Sequence, residues 1–179
     1  MKSIKSPSTA SAIVAGIVVS CSSAFGADER QVYQSPLVDE SIPGHAVGID
    51  CDVSGAKKLF LVVTDGGDGF ACDWADWAEP RLIVDGKETK LTDLNWKSAS
   101  GEWGKVSVNK NADGKPLRIG GKDVEYGIGT HANSIIEYDL PAGATRFLAR
   151  GGIDNGGSDQ GGSSSMKFYV YREKPDLAN

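Results

Sequence analysis

The sequence predicts an all-β sandwich, and three observations carry that prediction. About ten runs of strand length alternate or cluster their apolar residues. No stretch sustains a helical period long enough to make a helix of ordinary length. The 23 glycines of the 179-residue chain are spread between these runs as punctuation. Short strands broken by turns favour an antiparallel sandwich over a parallel sheet with crossover helices.

The chain opens on a targeting segment. Lys2 and Lys5 form a basic stretch, residues 12–19 an apolar core, and residues 23–27 (Ser-Ala-Phe-Gly-Ala) a small-residue cleavage region. Residues 1–27 are therefore read as a cleaved signal peptide. Their apolar run is far below the ~18 residues a membrane span needs, so no transmembrane helix is expected. The expected location is secreted or periplasmic. Val18-Val19-Ser20-Cys21 also resembles a bacterial lipoprotein box, and the alternative is a protein lipid-anchored through Cys21.

Residues 28–45 are polar, carry Pro36 and Pro43, and read as a lead-in with a short edge strand at 31–33. The sandwich is expected over 46–172, with a tail at 173–179. Residues 47–53 alternate, and 54–58 make a turn. Leu59-Phe60-Leu61-Val62-Val63 is a continuous apolar run, as expected of a strand buried on both faces. Residues 81–84, Asp85-Gly86 and 87–91 form a hairpin with a favoured turn sequence. Residues 105–108 alternate, and 116–119 form a short strand before Gly120-Gly121. In 165–171 the side chains of Met166, Phe168 and Val170 share one face. The Gly/Ser-rich stretch 155–165 reads as a long mobile loop between strands.

Two constellations carry the chemistry. Residues 126–150 read as a Gly-rich loop, a strand, a turn at Pro141-Ala142-Gly143 and a second strand. At its first junction sits His131, one of two histidines in the chain, beside Asn133 and Ser134. A glycine loop lets backbone approach closely, and flanking strands hold polar side chains at a sheet edge. The plain alternative is a hydrogen-bonded structural histidine. Residues 64–80 interleave Asp65, Asp68, Asp73, Asp76 and Glu79 with glycines and with Trp74 and Trp77. Carboxylates and glycine carbonyls are the oxygen ligands Ca²⁺ takes. An exposed indole beside carboxylates and amides is equally a platform for a sugar ring. The third reading is a solvated acidic loop pinned by one core tryptophan. Trp74 and Trp77 are three apart, so one is expected to seal the core and the other to reach a surface.

Charge and composition exclude several classes. The formal charge is −5, and Lys57-Lys58 is a pair, not a patch, which argues against nucleic acid and anionic membranes as partners. Of three cysteines, Cys21 lies in the leader. Cys51 and Cys72 are an even pair in an oxidising compartment, so a disulfide worth ~3 kcal/mol is expected, with two free thiols as the alternative. No metalloprotease, nucleophile-elbow, Walker or dinucleotide motif occurs. His45 and His131 alone make no three-histidine zinc site. The carboxylates of 73–79 supply material for glycoside hydrolysis, but about 150 residues rarely enclose a glycosidase cleft, and the expectation is no enzyme.

Taken together, Val-Thr-Asp-Gly-Gly-Asp-Gly (63–69), Asp-Trp-Ala-Asp-Trp-Ala-Glu-Pro-Arg-Leu (73–82), Pro-Leu-Arg-Ile-Gly-Gly (116–121) and Tyr-Gly-Ile-Gly-Thr-His-Ala-Asn-Ser (126–134) with Arg146-Phe147 resemble the NPCBM family of carbohydrate-binding modules. The motifs stand in the expected order over residues 32–171. The resemblance implies a galactose-binding-domain-like jelly-roll sandwich, often with a structural Ca²⁺. It implies non-catalytic glycan binding, with terminal galactose as ligand and a glycoside hydrolase as neighbour or partner. Carried onto this chain, His131 and Asn133 would hydrogen-bond sugar hydroxyls, and Trp74 or Trp77 would stack on the ring. Asp73 and Asp76 would serve sugar or metal, and Asp65 and Asp68 would lead the Ca²⁺ ligands. Arg81 and Arg150 would be structural ion-pair partners. The rival reading keeps the sandwich as an interaction module without a working sugar site.

Overall fold

The computed structural model describes residues 29–176. The expected signal peptide and Cys21 lie outside them. In chain order the strands are β1 (Gln31–Gln34), β2 (Val38–Asp39), β3 (Ala46–Asp52), β4 (Lys58–Thr64), β5 (Trp74–Val84), β6 (Lys87–Lys90), β7 (Ser98–Gly101), β8 (Ser107–Val108), β9 (Arg118–Ile119), β10 (Lys122–Asp123), β11 (Gly127–His131), β12 (Ser134–Asp139), β13 (Ala144–Ile153) and β14 (Ser165–Tyr171), with one helical turn, α1 (Asn155–Ser158), before the last. Two antiparallel sheets face each other, as the strand pattern predicts. One has the order β1-β14-β4-β12-β7, with β2 beside β14; the other has β3-β13-β5-β11-β8, with β6 beside β5.

Alternation fills the space between the sheets. Met166, Phe168 and Val170 of β14 all point inward, together with Leu59, Leu61 and Val63 of β4. Phe60 and Val62 form a smaller cluster with Tyr171 on the other face, so the unbroken apolar run of β4 is buried on both faces. Trp77 is fully buried at the centre. Its ring meets Phe168 edge-on at 5.1 Å and Phe147 at 6.2 Å. The β5–β6 hairpin turns through Asp85 (φ 49°) and Gly86 (φ 76°), the doubly positive pair that matches strand twist.

Four local expectations are corrected. Residues 127–131 form strand β11 and not a loop. Gly127 and Gly129 pair with Ala78 and Asp76, and their missing side chains let residues 109–117 lie flat on the sheet. A Cβ on Gly129 would stand 2.3 Å from the Lys110 carbonyl oxygen. Second, Trp74 to Glu79 belong to β5, where odd spacing puts Trp74 and Trp77 on opposite faces. Third, the Gly/Ser stretch begins with α1, capped by the Asp154 carboxylate. Fourth, Cys51 and Cys72 are free thiols. Cys51 sits buried on β3 near the Phe147 carbonyl, while Cys72 lies in the 65–73 loop beside Gly162 and Ser164. The two sit in separate surroundings, so no bridge joins them.

Residues 174–176 are tied to the sandwich. Arg30 holds the Lys174 carbonyl at 3.2 Å and Asp176 at 2.9 Å, and Pro175 is buried.

Candidate functional site

Strand pairing builds the site from separate segments. Trp74 of β5 lies opposite His131 of β11, on the face of the sheet turned away from the core. Trp103, in the loop after β7, stacks over both: its ring lies 5.1 Å from Trp74 at a tilt of 41° and 5.4 Å from His131. Phe70, from the acidic loop, meets His131 edge-on at 6.0 Å. Trp74 and His131 are 7% and 4% exposed, while Phe70 and Trp103 are 46% and 47% exposed. Two open aromatic faces thus flank a nearly covered imidazole.

The imidazole has a defined polarity. Its Nδ1 lies 2.6 Å from the Ala132 carbonyl oxygen, which can only accept, so Nδ1 carries the hydrogen. Burial lowers the His131 pKa, against the opposing pull of the Ala132 carbonyl and Glu102. The ring is therefore neutral near pH 7, and Nε2 presents a bare lone pair. Nε2 makes no hydrogen bond among the described residues. The nearly covered ring is left with one free acceptor, packed among Phe70, Trp74 and Trp103.

Asn133 is placed differently from what its position two residues on suggests. Its Nδ2 donates to Glu102 at 3.0 Å, and its Oδ1 accepts from the Asp65 amide at 3.0 Å. It therefore ties the Trp103 loop to the acidic loop. It also lines a groove of about 580 Å³ on the other sheet, together with Asp65, Glu102, Ile135 and Tyr169. Trp77 is in the core and reaches no surface. Asp73 and Asp76 are sealed as well, which removes both from a surface ligand. Arg150 grips Glu79 through two hydrogen bonds of 2.8 and 3.0 Å, and Arg81 pairs with Glu88, as expected of structural partners.

The acidic loop fits an ion only in part. The Asp65 carboxylate accepts from the Gly67 amide, and both Asp68 oxygens lie 3.0 Å from the Ser165 hydroxyl. Among the described residues, no three His, Cys, Asp or Glu side chains are grouped to hold a metal. Asp73 is the exception to a satisfied loop. Its Oδ1 accepts from the Ser165 amide at 2.9 Å, but Oδ2 is buried without a partner. Burial, reinforced by Asp68 and Asp65, raises its pKa to about 7.

Phe70 and Trp103 are the residues sequence reasoning missed. An isolated aromatic between glycines was the available signal: Gly101-Glu102-Trp103-Gly104 and Gly69-Phe70. Neither segment has a strand period that would bury its ring.

A two-sheet sandwich with a histidine-centred aromatic cluster, two of its rings exposed, has the build of a binding module. The chain belongs to the NPCBM/NEW2 domain family, whose model matches residues 18–83 and 87–179. That is a family of carbohydrate-binding modules, and carbohydrate binding is the function that membership supports. The chain is also 34% identical over 76 residues to a protein of Renibacterium salmoninarum named "Putative endo-alpha-N-acetylgalactosaminidase". The match covers 38% of this chain and 5% of that protein's length. No solved structure matches the chain.

Proposed function

We propose that the aromatic patch of Phe70 and Trp103 around His131 binds the galactose-type end of a glycan without catalysing a reaction on it. The carrying observation is the neutral His131 ring, with a free Nε2 acceptor, in contact with the two exposed aromatic rings of Phe70 and Trp103. A hexose offers the complement, hydroxyl donors at its edge and an apolar C–H face for an indole. Glu102, exposed beside Trp103, is a second acceptor. Asp73 and Asp76 are sealed and so are not offered to a bound sugar.

Calorimetric titration of galactose-terminated glycans tests the reading. Binding that disappears in His131→Ala and in Trp103→Ala, with thermal melts showing a folded protein, is the expected result. Silence across the glycans in the folded wild type would overturn it and leave the interaction module standing.

Ca²⁺ belongs to the same proposal. An ion held by Asp73, with Asp65 and Asp68 turned onto it, would satisfy the orphaned Oδ2 and relieve the mutual repulsion of the three carboxylates. Export through residues 1–27, or anchoring through Cys21, would place the module among extracellular glycans. A glycoside hydrolase is the partner it would serve, since the relative named above carries a hydrolase name.

A further inference from the structure

Beneath the aromatic patch lies a buried acid pair that sugar binding does not use. Asp76 is flanked across the sheet by Gly129 and Gly152, so no neighbouring side chain on the sheet covers it. Asp154 acts on it through its charge and a side-chain hydrogen bond, and both residues are almost fully buried. Asp154 is saturated with donors: Asn111 Nδ2 at 2.8 Å and the Gly156 amide at 2.7 Å on Oδ1, and the Arg118 amide at 2.9 Å on Oδ2. Asp76 receives no donor on either oxygen. Two carboxylates cannot face each other so, but a proton on Asp76 makes it a donor to Asp154.

Among the described residues, neither Asp76 nor Asp154 forms an ion pair. Burial, then the charge of Asp154 and its hydrogen bond, hold Asp76 well above the usual carboxyl range. Of the segments packed over it, residues 110–115 carry exposed Lys110 and an Asp113–Lys115 ion pair, and β9 carries Arg118, paired with Asp123. Beside α1, Asp159 is exposed.

From Asp154 two paths lead to the two indoles. Asp154 caps α1, and a Cβ on Gly156 of that turn would come within 2.5 Å of the Trp74 ring. Its other donor, Asn111, precedes Ala112, whose carbonyl takes the Lys105 amide at 3.2 Å and against which Gly104 is seated. Gly104 follows Trp103. The wall behind one indole and the root of the other are thus fixed to one carboxylate.

We propose that the Asp76–Asp154 pair shares a single proton and positions Trp74 and Trp103, making the aromatic patch sensitive to alkali. Its functional consequence rests on the patch being a glycan site; its structural consequence does not. When Asp76 ionises, two negative charges face each other in the interior, α1 and residues 104–112 lose their common anchor, and the stacked indoles separate.

The near-UV circular dichroism of the tryptophans reads the positioning with no ligand present, and glycan titration reads the function. In the full chain, the wild-type indole signal is expected to fade as pH rises, before the sandwich unfolds, with affinity falling at least tenfold in step. Asp76→Asn keeps a donor toward Asp154 but has no proton to lose, so its indole signal and affinity should stay flat over that range. Superimposable pH profiles for wild type and Asp76→Asn would overturn the proposal. The infrared band of a protonated carboxyl gives a second check: in Asp73→Asn, which removes the other buried acid, it should still be present at neutral pH, and its absence would equally overturn the proposal. An alkali-labile indole signal without glycan binding would support the hub and count against the sugar reading alone.

Discussion

Trp74 and Trp103 lie 5.1 Å apart and 41° from coplanar, one on a strand and nearly buried, the other on a loop and half in solvent. The strand indole is braced by the backbone of α1, while the loop indole depends on its partner for support. Trp74→Ala should therefore weaken glycan binding through Trp103 as well as directly. A double-mutant cycle measured by calorimetry should show strong non-additivity, with the Trp74→Ala/Trp103→Ala double variant little worse than either single one. Each single change should cost at least tenfold in affinity, ~1.4 kcal/mol.

Asp73 should make stability depend on pH. Its pKa is raised to about 7 by burial, Asp68 and Asp65, so the folded protein holds this proton more tightly than the unfolded chain. The contribution is fully present below the ordinary carboxyl range of about 4 and is lost as pH rises toward about 7. In EDTA, Asp73→Asn should keep the Ser165 contact and melt higher than wild type at pH 7.5, with the gap closing at pH 4. Added Ca²⁺ should raise the wild-type melting temperature at pH 7.5 and leave Asp73→Asn unchanged. Indifference of the wild type to Ca²⁺ would remove the ion from the proposed function.

The two thiols should behave as separate groups. Cys72 is half-buried, whereas Cys51 is buried and its pKa is pushed up to about 12 by burial and by Asp50 and Asp52. In a chain starting at residue 29, a thiol reagent should modify Cys72 in the native state and Cys51 only after denaturation. Reducing agent should leave the melting temperature unchanged. A fall on reduction would restore the expected bridge.

Gly129 tests the contact between covering segment and sheet. A Cβ there would meet the Lys110 oxygen at 2.3 Å and the Asn111 Cα at 2.5 Å, both of them backbone. Gly129→Ala should destabilise by ~1–3 kcal/mol in urea unfolding. It should also loosen the Trp103 loop. Gly48→Ala, with open space around the added carbon, is the matched control.

Much of the fold was legible in the sequence, because strand alternation reports directly on which face is buried. Met166, Phe168 and Val170 on one face, the doubly buried run of β4 and the Asp85-Gly86 turn all follow from period and turn chemistry. Odd spacing puts Trp74 and Trp77 on opposite faces, but it does not say which enters the core, and Trp74, on the outer face, is covered rather than at a surface. The strand β11 was hidden because its Gly-Ile-Gly sequence has the composition of a loop. Its glycines answer to backbone lying above them, which is a tertiary cause. The same holds for Gly156 against Trp74. Within the site, His131 and Trp74 stood out by residue type. Asp76 looked like a surface ligand because burial cannot be read from an acidic residue's name. The part played by Trp103 and Phe70 depends on contacts between segments far apart in the chain.

The bare backbone of Gly127 and Gly129 also divides the molecule into parts of unequal durability. The inner layer is knitted by interdigitated side chains, whereas residues 102–105 and 109–115 rest largely on peptide groups and a few polar anchors. Such a layer can open on its own, as a separate cooperative unit, while the sheets beneath stay closed. Hydrogen exchange should then find the amides around Trp103 released well before those of β4 and β14. The protein would lose its aromatic patch under mild stress while remaining folded by every global measure.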